Sequence, residues 1–162
     1  MNLNGHKNKL KELLIAAAIP LAVGGLSAFL TKDQMKLFEL VRKPPLAPPG
    51  WLFPVAWTIL YILMGVASYL IWRSRASDIR KGRALTFYAV SLGFNFLWSI
   101  LFFGFGLYLF SFIWLIILWV LIIICTVLFW YIDETAGKLL IPYLVWVTFA
   151  GYLNLGVWLL NR

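Results

Sequence analysis

The chain is 162 residues long, 63% hydrophobic and only 12% charged, with a formal net charge of +8. A soluble domain sits nearer to roughly half apolar and a quarter charged; too few charges are present here to cover a water-facing surface, and the long uncharged runs define an all-α integral membrane protein. The positive balance does not indicate nucleic-acid binding, because basic residues in loops between apolar spans are what membrane topology produces.

In chain order, Lys7, Lys9 and Lys11 precede an uncharged run from Leu13 to Leu30. The run is long enough to cross a bilayer core and longer than the ~7–15 residues of a signal-peptide core. Pro20 is expected to kink this first helix. Residues 31–50 form a long loop, and loops beyond ~12–15 residues are usually functional or disordered. Its "DQMKLFELV" places Leu37, Phe38 and Val41 on one face of a short amphipathic helix, and "RKPPLAPPG" then stiffens the backbone. A structured, Pro-rich lid over one end of the bundle follows. The second helix starts at Trp51 and ends at Trp72.

From Ala84 to Ile132 there are 49 residues without a charge. As one helix they would span ~73 Å, more than twice the ~30 Å hydrocarbon core. The chain must fold back, and "FFGFG", with Gly104 and Gly106, marks the break. A fifth helix follows the polar turn Asp133–Thr135, with Pro142 expected in its first turn, where a missing donor costs little. Five transmembrane helices in a single bundle are expected, over approximately 13–30, 51–72, 84–103, 107–131 and 139–160.

Lys7, Lys9, Lys11, Arg73, Arg75, Arg80, Lys81, Arg83 and Lys138 fall on one side of this topology, and Lys32, Lys36, Arg42, Lys43 and Arg162 on the other. The bias places the N-terminus in the cytoplasm and the first loop and the C-terminus outside.

Within the spans there is no Asp, Glu, Lys, Arg or His. Proton relays and ion-coupled carriers normally need such groups, and so does general acid–base catalysis. One cysteine, Cys125, and one histidine, His6, allow neither an internal disulfide nor a metal constellation. No metal and no required cofactor are expected.

What remains is aromatic: nine Trp, seven Tyr and thirteen Phe. Trp72, Trp130 and Trp158 sit near helix ends, as interfacial belts require. Trp119 and Trp146 lie well inside their spans, where helix packing and ligand lining are both open. Tyr143, Trp146, Ala150 and Leu153 share a helix face, a large aromatic followed by a small residue that leaves a slot. Asn95 and Trp98 share a face of the third helix; the amide needs a partner, on another helix or on a ligand. Ala89 with Gly93, and Gly24, Gly25 and Ala28, offer close helix approach within the bundle or across a homodimer.

"KPPLAPPGWLFPVAWTILYILMGVASYLIW", "FNFLWSILFFG" and "IPYLVWVTFAGYLNLGVW" resemble, in the same order, three segments of the translocator protein family, also called tryptophan-rich sensory proteins. The resemblance covers nearly the whole chain. It implies a bacterial member in the cell membrane: a five-helix bundle, commonly a homodimer, with a pocket capped by the first loop. It implies binding of porphyrins, notably protoporphyrin, and of benzodiazepine-site, drug-like molecules. By motif, pocket residues would be Trp51, Asn95, Trp98, Trp146, Ala150 and Leu153, with Trp51 and Trp146 matching tryptophans tied to light- and oxygen-dependent porphyrin breakdown. Two departures stand out. The Tyr and Arg of the animal cholesterol-recognition stretch are replaced by Leu155 and Leu159, so specific sterol binding is not expected, and Phe110 stands where animal members have a Trp.

The functional expectation is therefore a porphyrin receptor whose chemistry, where it acts, runs through the excited ligand and oxygen. A ligand-responsive stress scaffold and a transporter of apolar metabolites are the alternatives. The lipid bilayer, a small molecule and a second copy of the chain are the expected partners, and nucleic acid is not.

Overall fold

The computed structural model describes residues 3–162; the side chains of residues 1–6, His6 among them, and of Leu37 lie outside the described residues. The fold is five helices: α1 (Leu3–Phe38), α2 (Leu52–Arg73), α3 (Asp78–Ser99), α4 (Tyr108–Ile132) and α5 (Glu134–Asn161). All five are long and apolar enough to cross a membrane. Because each backbone N–H and C=O in such a segment must be satisfied internally, helices are the natural outcome of these uncharged runs.

Three helices extend beyond their uncharged cores. α1 runs without interruption through the "DQMKLF" segment, so the amphipathic stretch continues α1 instead of forming a separate loop helix. No Gly or Pro lies between Thr31 and Phe38 to stop it, and Thr31 bonds back to the Ser27 carbonyl at 2.9 Å. Pro20 lies within α1 without ending it. α3 begins at Asp78, ahead of the uncharged run, with Lys81 Nζ 3.0 Å from the Asp78 carboxylate. α5 begins at Glu134, capped by Asp133, whose Oδ1 accepts from the Ala136 N–H at 2.9 Å. Pro142 therefore stands inside α5, not in its first turn, and interrupts one backbone hydrogen bond.

The reversal falls where "FFGFG" foretells it. After α3 the helix widens into a π-turn over Ile100–Gly104, closed by Phe105 N–H to the Ile100 carbonyl at 3.0 Å. Gly106 then takes φ 63°, a left-handed conformation that glycine adopts freely. α4 returns antiparallel to α3. Helices α4 and α5 pack along one another, α2 packs on α1 and α5, and α1 also meets the π-turn.

The core is apolar and closely fitted, with Met64, Ile71, Leu118, Ile122, Phe129 and Val147 almost wholly buried. On the outside Ile15, Phe29, Ile59, Ile116 and Val145 are exposed, an apolar belt suited to lipid. α1 and α2 touch so closely that a Cβ on Gly65 would run into the backbone of Ala17. Gly24 faces Tyr61 in the same seam, whereas Gly25, Ala28, Ala89 and Gly93 are exposed and hold no helix of this bundle. Asn95 is fully buried; its Nδ2 donates to Tyr143 Oη at 3.0 Å, and its Oδ1 accepts from Tyr61 Oη at 3.2 Å. Its amide thus ties α3 to α2 and α5.

Candidate functional site

Residues 39–51 leave α1 and cross one end of the bundle, held down on the last turns of α5. The Arg42 N–H donates to Asn161 Oδ1 at 3.1 Å, and Asn161 Nδ2 donates to the Arg42 carbonyl at 2.8 Å. Tyr152 Oη donates to the Pro45 carbonyl at 2.7 Å. Pro44 is buried against Gly156, where a Cβ would lie 2.6 Å from the proline ring. Leu46, at φ 67°, makes the turn between the two proline pairs. A left-handed leucine is unfavourable by about 1–2 kcal/mol, so the tethers on either side hold the loop in this shape.

Beneath this loop lies a cavity of about 30 Å³. Its roof is Pro44, Ala47 and Pro48, with Lys43 at the rim. Its walls are rings from four elements: Phe38 of α1, Phe53 of α2, Trp98 of α3, and Phe102 and Phe103 of the π-turn. Its floor is one face of α5, formed by Ala150, Leu153, Asn154 and Val157. In an α-helix successive side chains diverge by about 100°; the wider π-turn lets both Phe102 and Phe103 reach the cavity. Phe102 stacks on Trp98 at 5.5 Å between centroids, and Phe38 meets both phenylalanines edge-on at 5.2 and 5.1 Å.

A second cavity, of about 210 Å³, lies between α1 and α2. Phe53 and Phe103 line both spaces and so form the partition. The hydroxyls on its α1 wall are spent locally: Ser27 bonds the Gly24 carbonyl and Thr31 the Ser27 carbonyl, both at 2.9 Å.

Trp98, Ala150 and Leu153, singled out from the sequence, come together in the first cavity. The other three take different places. Asn95 lies in the helix-to-helix network with Tyr61 and Tyr143. Trp146 packs edge-on against Phe53 at 6.0 Å and Trp57 at 6.5 Å, and lines an outward apolar groove between α2 and α5. Its Nε1 is buried without a hydrogen-bond partner. Trp51 precedes α2 and is 67% exposed.

Among the remaining tryptophans, Trp119 donates to Thr148 Oγ1 at 2.8 Å, a packing contact between α4 and α5. Trp72 is exposed, and Trp130 and Trp158 lie near Lys138 and Arg162 at 5.7 and 5.5 Å, as belt residues do.

Several site residues carry no label in the sequence. Asn154 is fully buried and accepts from Trp98 Nε1 at 3.0 Å and Ser111 Oγ at 3.1 Å, while donating to the Tyr108 carbonyl at 2.7 Å. Its signal was present: Ala150, Leu153, Asn154 and Val157 fall at i, i+3, i+4 and i+7, one helical face. Phe102 and Phe103 stand in the "FNFLWSILFFG" segment that carries the resemblance but had no periodic signal, because a π-turn breaks the 3.6-residue period.

Five apolar helices, with a ring-walled, nearly uncharged cavity among α1, α2, α3 and α5 under a tethered proline-rich loop, define a multi-pass membrane protein with a candidate ligand site. The chain belongs to the TspO/MBR family, whose model matches residues 16–159. It is 39% identical to the protein CrtK of Rhodobacter capsulatus, over 76% of this chain and 78% of that one. It is 38% identical to the tryptophan-rich protein TspO of Archaeoglobus fulgidus, over 93% and 97% of the two chains. To the translocator protein of Bos taurus it is 31% identical over 89% and 86%.

Proposed function

We propose that this protein is a membrane receptor for porphyrins, protoporphyrin foremost, and for drug-like molecules of the benzodiazepine-site class, bound beneath the first loop. The observation that carries this reading is the cavity wall: five aromatic rings from four elements converge on one face of α5. Such rings stack on a flat conjugated ligand, and a lining that is apolar apart from Lys43 and Asn154 suits a largely apolar one.

Sites for ligands of this size occupy ~300–1,000 Å³, and the cavity holds about 30 Å³. Binding therefore requires the loop to rise from α5 and the Phe53–Phe103 partition to swing toward the neighbouring 210 Å³ space. Both rearrangements turn side chains or a loop and leave the five helices in place.

Light- and oxygen-dependent breakdown of bound porphyrin is the chemistry this site suits. Excited porphyrin and dioxygen supply the reactivity, and no side-chain acid or base is needed. Trp146 stands outside the cavity but in edge contact with its wall residue Phe53, and its buried indole N–H has no partner, so it acts through that wall; Trp51 acts from the loop as it lifts. The positive-inside bias assigns the N-terminus to the cytoplasm and the loop to the outside of the cell membrane. The outward-facing Ala89 and Gly93 on α3 offer a seam for a second copy.

Titrating protoporphyrin into the protein in nanodiscs while following tryptophan emission tests the binding. Saturable quenching is expected, weakened about tenfold or more in Trp98→Leu; a linear, non-saturating response in the wild type refutes the reading. Illuminating the complex and following porphyrin absorbance tests the breakdown. Consumption by Trp51→Phe and Trp146→Phe at the wild-type rate would exclude their part in it.

A further inference from the structure

We propose that Lys43 is the anion-recognising residue of this cavity, selecting apolar planar ligands that carry a carboxylate at one edge. This rests on the ligand-binding reading of the cavity and adds what distinguishes one flat molecule from another.

Lys43 is the single charged residue among those lining the space. The one other polar residue there, Asn154, is engaged: its oxygen accepts from Trp98 and Ser111, and its amide nitrogen donates to the Tyr108 carbonyl. Polar recognition of a ligand therefore falls to the lysine. Among the described residues the ion pairs are Arg73 with Glu12, Lys81 with Asp78 and Lys138 with Glu134, so no carboxylate within 4.0 Å neutralises Lys43. Its ammonium rests 5.1 Å above the ring of Phe38, itself a wall of the cavity. A cation held on a ring face keeps N–H donors free for an anion.

The backbone around it is prepared for this role. Arg42 is bonded on both its N–H and its carbonyl by Asn161, Pro44 is seated on Gly156, and the Pro45 carbonyl accepts from Tyr152. Lys43 is thus clamped on both sides whenever the loop is seated, and its backbone is pre-ordered once the loop closes again over a ligand. A ligand with its ring system among Phe53, Trp98 and Phe102 and its acid at the rim would satisfy both halves of the site.

The test compares protoporphyrin with its dimethyl ester, which keeps the ring and removes the charge, in nanodiscs of zwitterionic lipid. The wild type is expected to bind the acid about ten- to a hundredfold more tightly, the range for a charge-assisted hydrogen bond at a rim. Lys43→Gln should lose that preference by weakening the acid alone, and Lys43→Arg should retain most of it. Equal affinity of the wild type for acid and ester overturns the proposal. So does an equal loss for both ligands in Lys43→Gln, which would make the residue part of the loop's packing. Competition by added phosphatidylglycerol that removes the preference would give the lysine to a lipid headgroup and overturn it as well. If neither compound binds the wild type, the cavity reading itself falls, a result distinct from all of these.

Discussion

Tyr152→Phe isolates the loop tether without touching the cavity. The substitution removes one hydrogen bond, from Tyr152 Oη to the Pro45 carbonyl at 2.7 Å, and leaves the ring in place. A hydrogen bond at a partly exposed site contributes about 1 kcal/mol net. The closed cavity of about 30 Å³ admits no ligand of porphyrin size, so association passes through a raised loop. Losing about 1 kcal/mol from the closed state makes the raised state roughly fivefold more populated. If the loop closes again over the ligand, the same contact is missing from the free and the bound closed states and cancels in Kd. Association and dissociation rates should therefore both rise about fivefold, while Kd stays within about twofold. Stopped-flow quenching of tryptophan emission by protoporphyrin measures both rates. A change in Kd with the association rate unaltered would refute the reasoning, because it would place Tyr152 on the ligand and not on the loop.

Asn95→Leu strands the hydroxyls of Tyr61 and Tyr143. At about 1–3 kcal/mol for buried groups left unpaired, a loss of ~2–4 kcal/mol should appear in detergent-titrated unfolding; a loss under ~0.5 kcal/mol would show the network to be incidental. Gly65→Val drives a side chain into the Ala17 backbone and should prevent α1 from seating on α2; cysteine cross-linking between the two helices would report it, and undiminished cross-linking would contradict the packing. Trp51→Phe and Trp72→Phe separate pocket from anchor: weakened porphyrin binding in the first alone supports a ligand role for Trp51, and equal small effects assign both to the interface.

The helices were legible wherever one simple physical rule governed them. Uncharged runs of membrane length must form helices because lipid offers the backbone no hydrogen bonds. The 49-residue run had to reverse because the bilayer is too thin for it, and Gly106 marked the place. Helix ends were less legible. α3 and α5 start several residues before their apolar cores, because charged and capping residues such as Asp78 and Asp133 extend a helix into the headgroups at no cost to its hydrogen bonding. The same reason carries α1 through Phe38 and moves Pro142 to the interior of α5.

The site divides along a different line. Trp98, Ala150 and Leu153 lie on regular helical faces and were named through the family resemblance; period 3.6 alone also grouped Tyr143, Trp146 and Asn95 with them, and those three do not line the cavity. Phe102 and Phe103 enter through a π-turn, which has no period to read. Lys43, Pro44 and Asn161 acquire their meaning only from each other: 119 residues separate Arg42 from Asn161, yet their backbone and amide meet in two hydrogen bonds. Composition and run length by themselves determined the solvent, the number of helices and the aromatic character of the interior, because those depend on transfer free energies summed locally along the chain. Which aromatics wall one cavity, which amide joins helices and where the loop is tied down were decided by tertiary structure alone. Those outcomes depend on which faces of distant helices meet, and no local sum contains that.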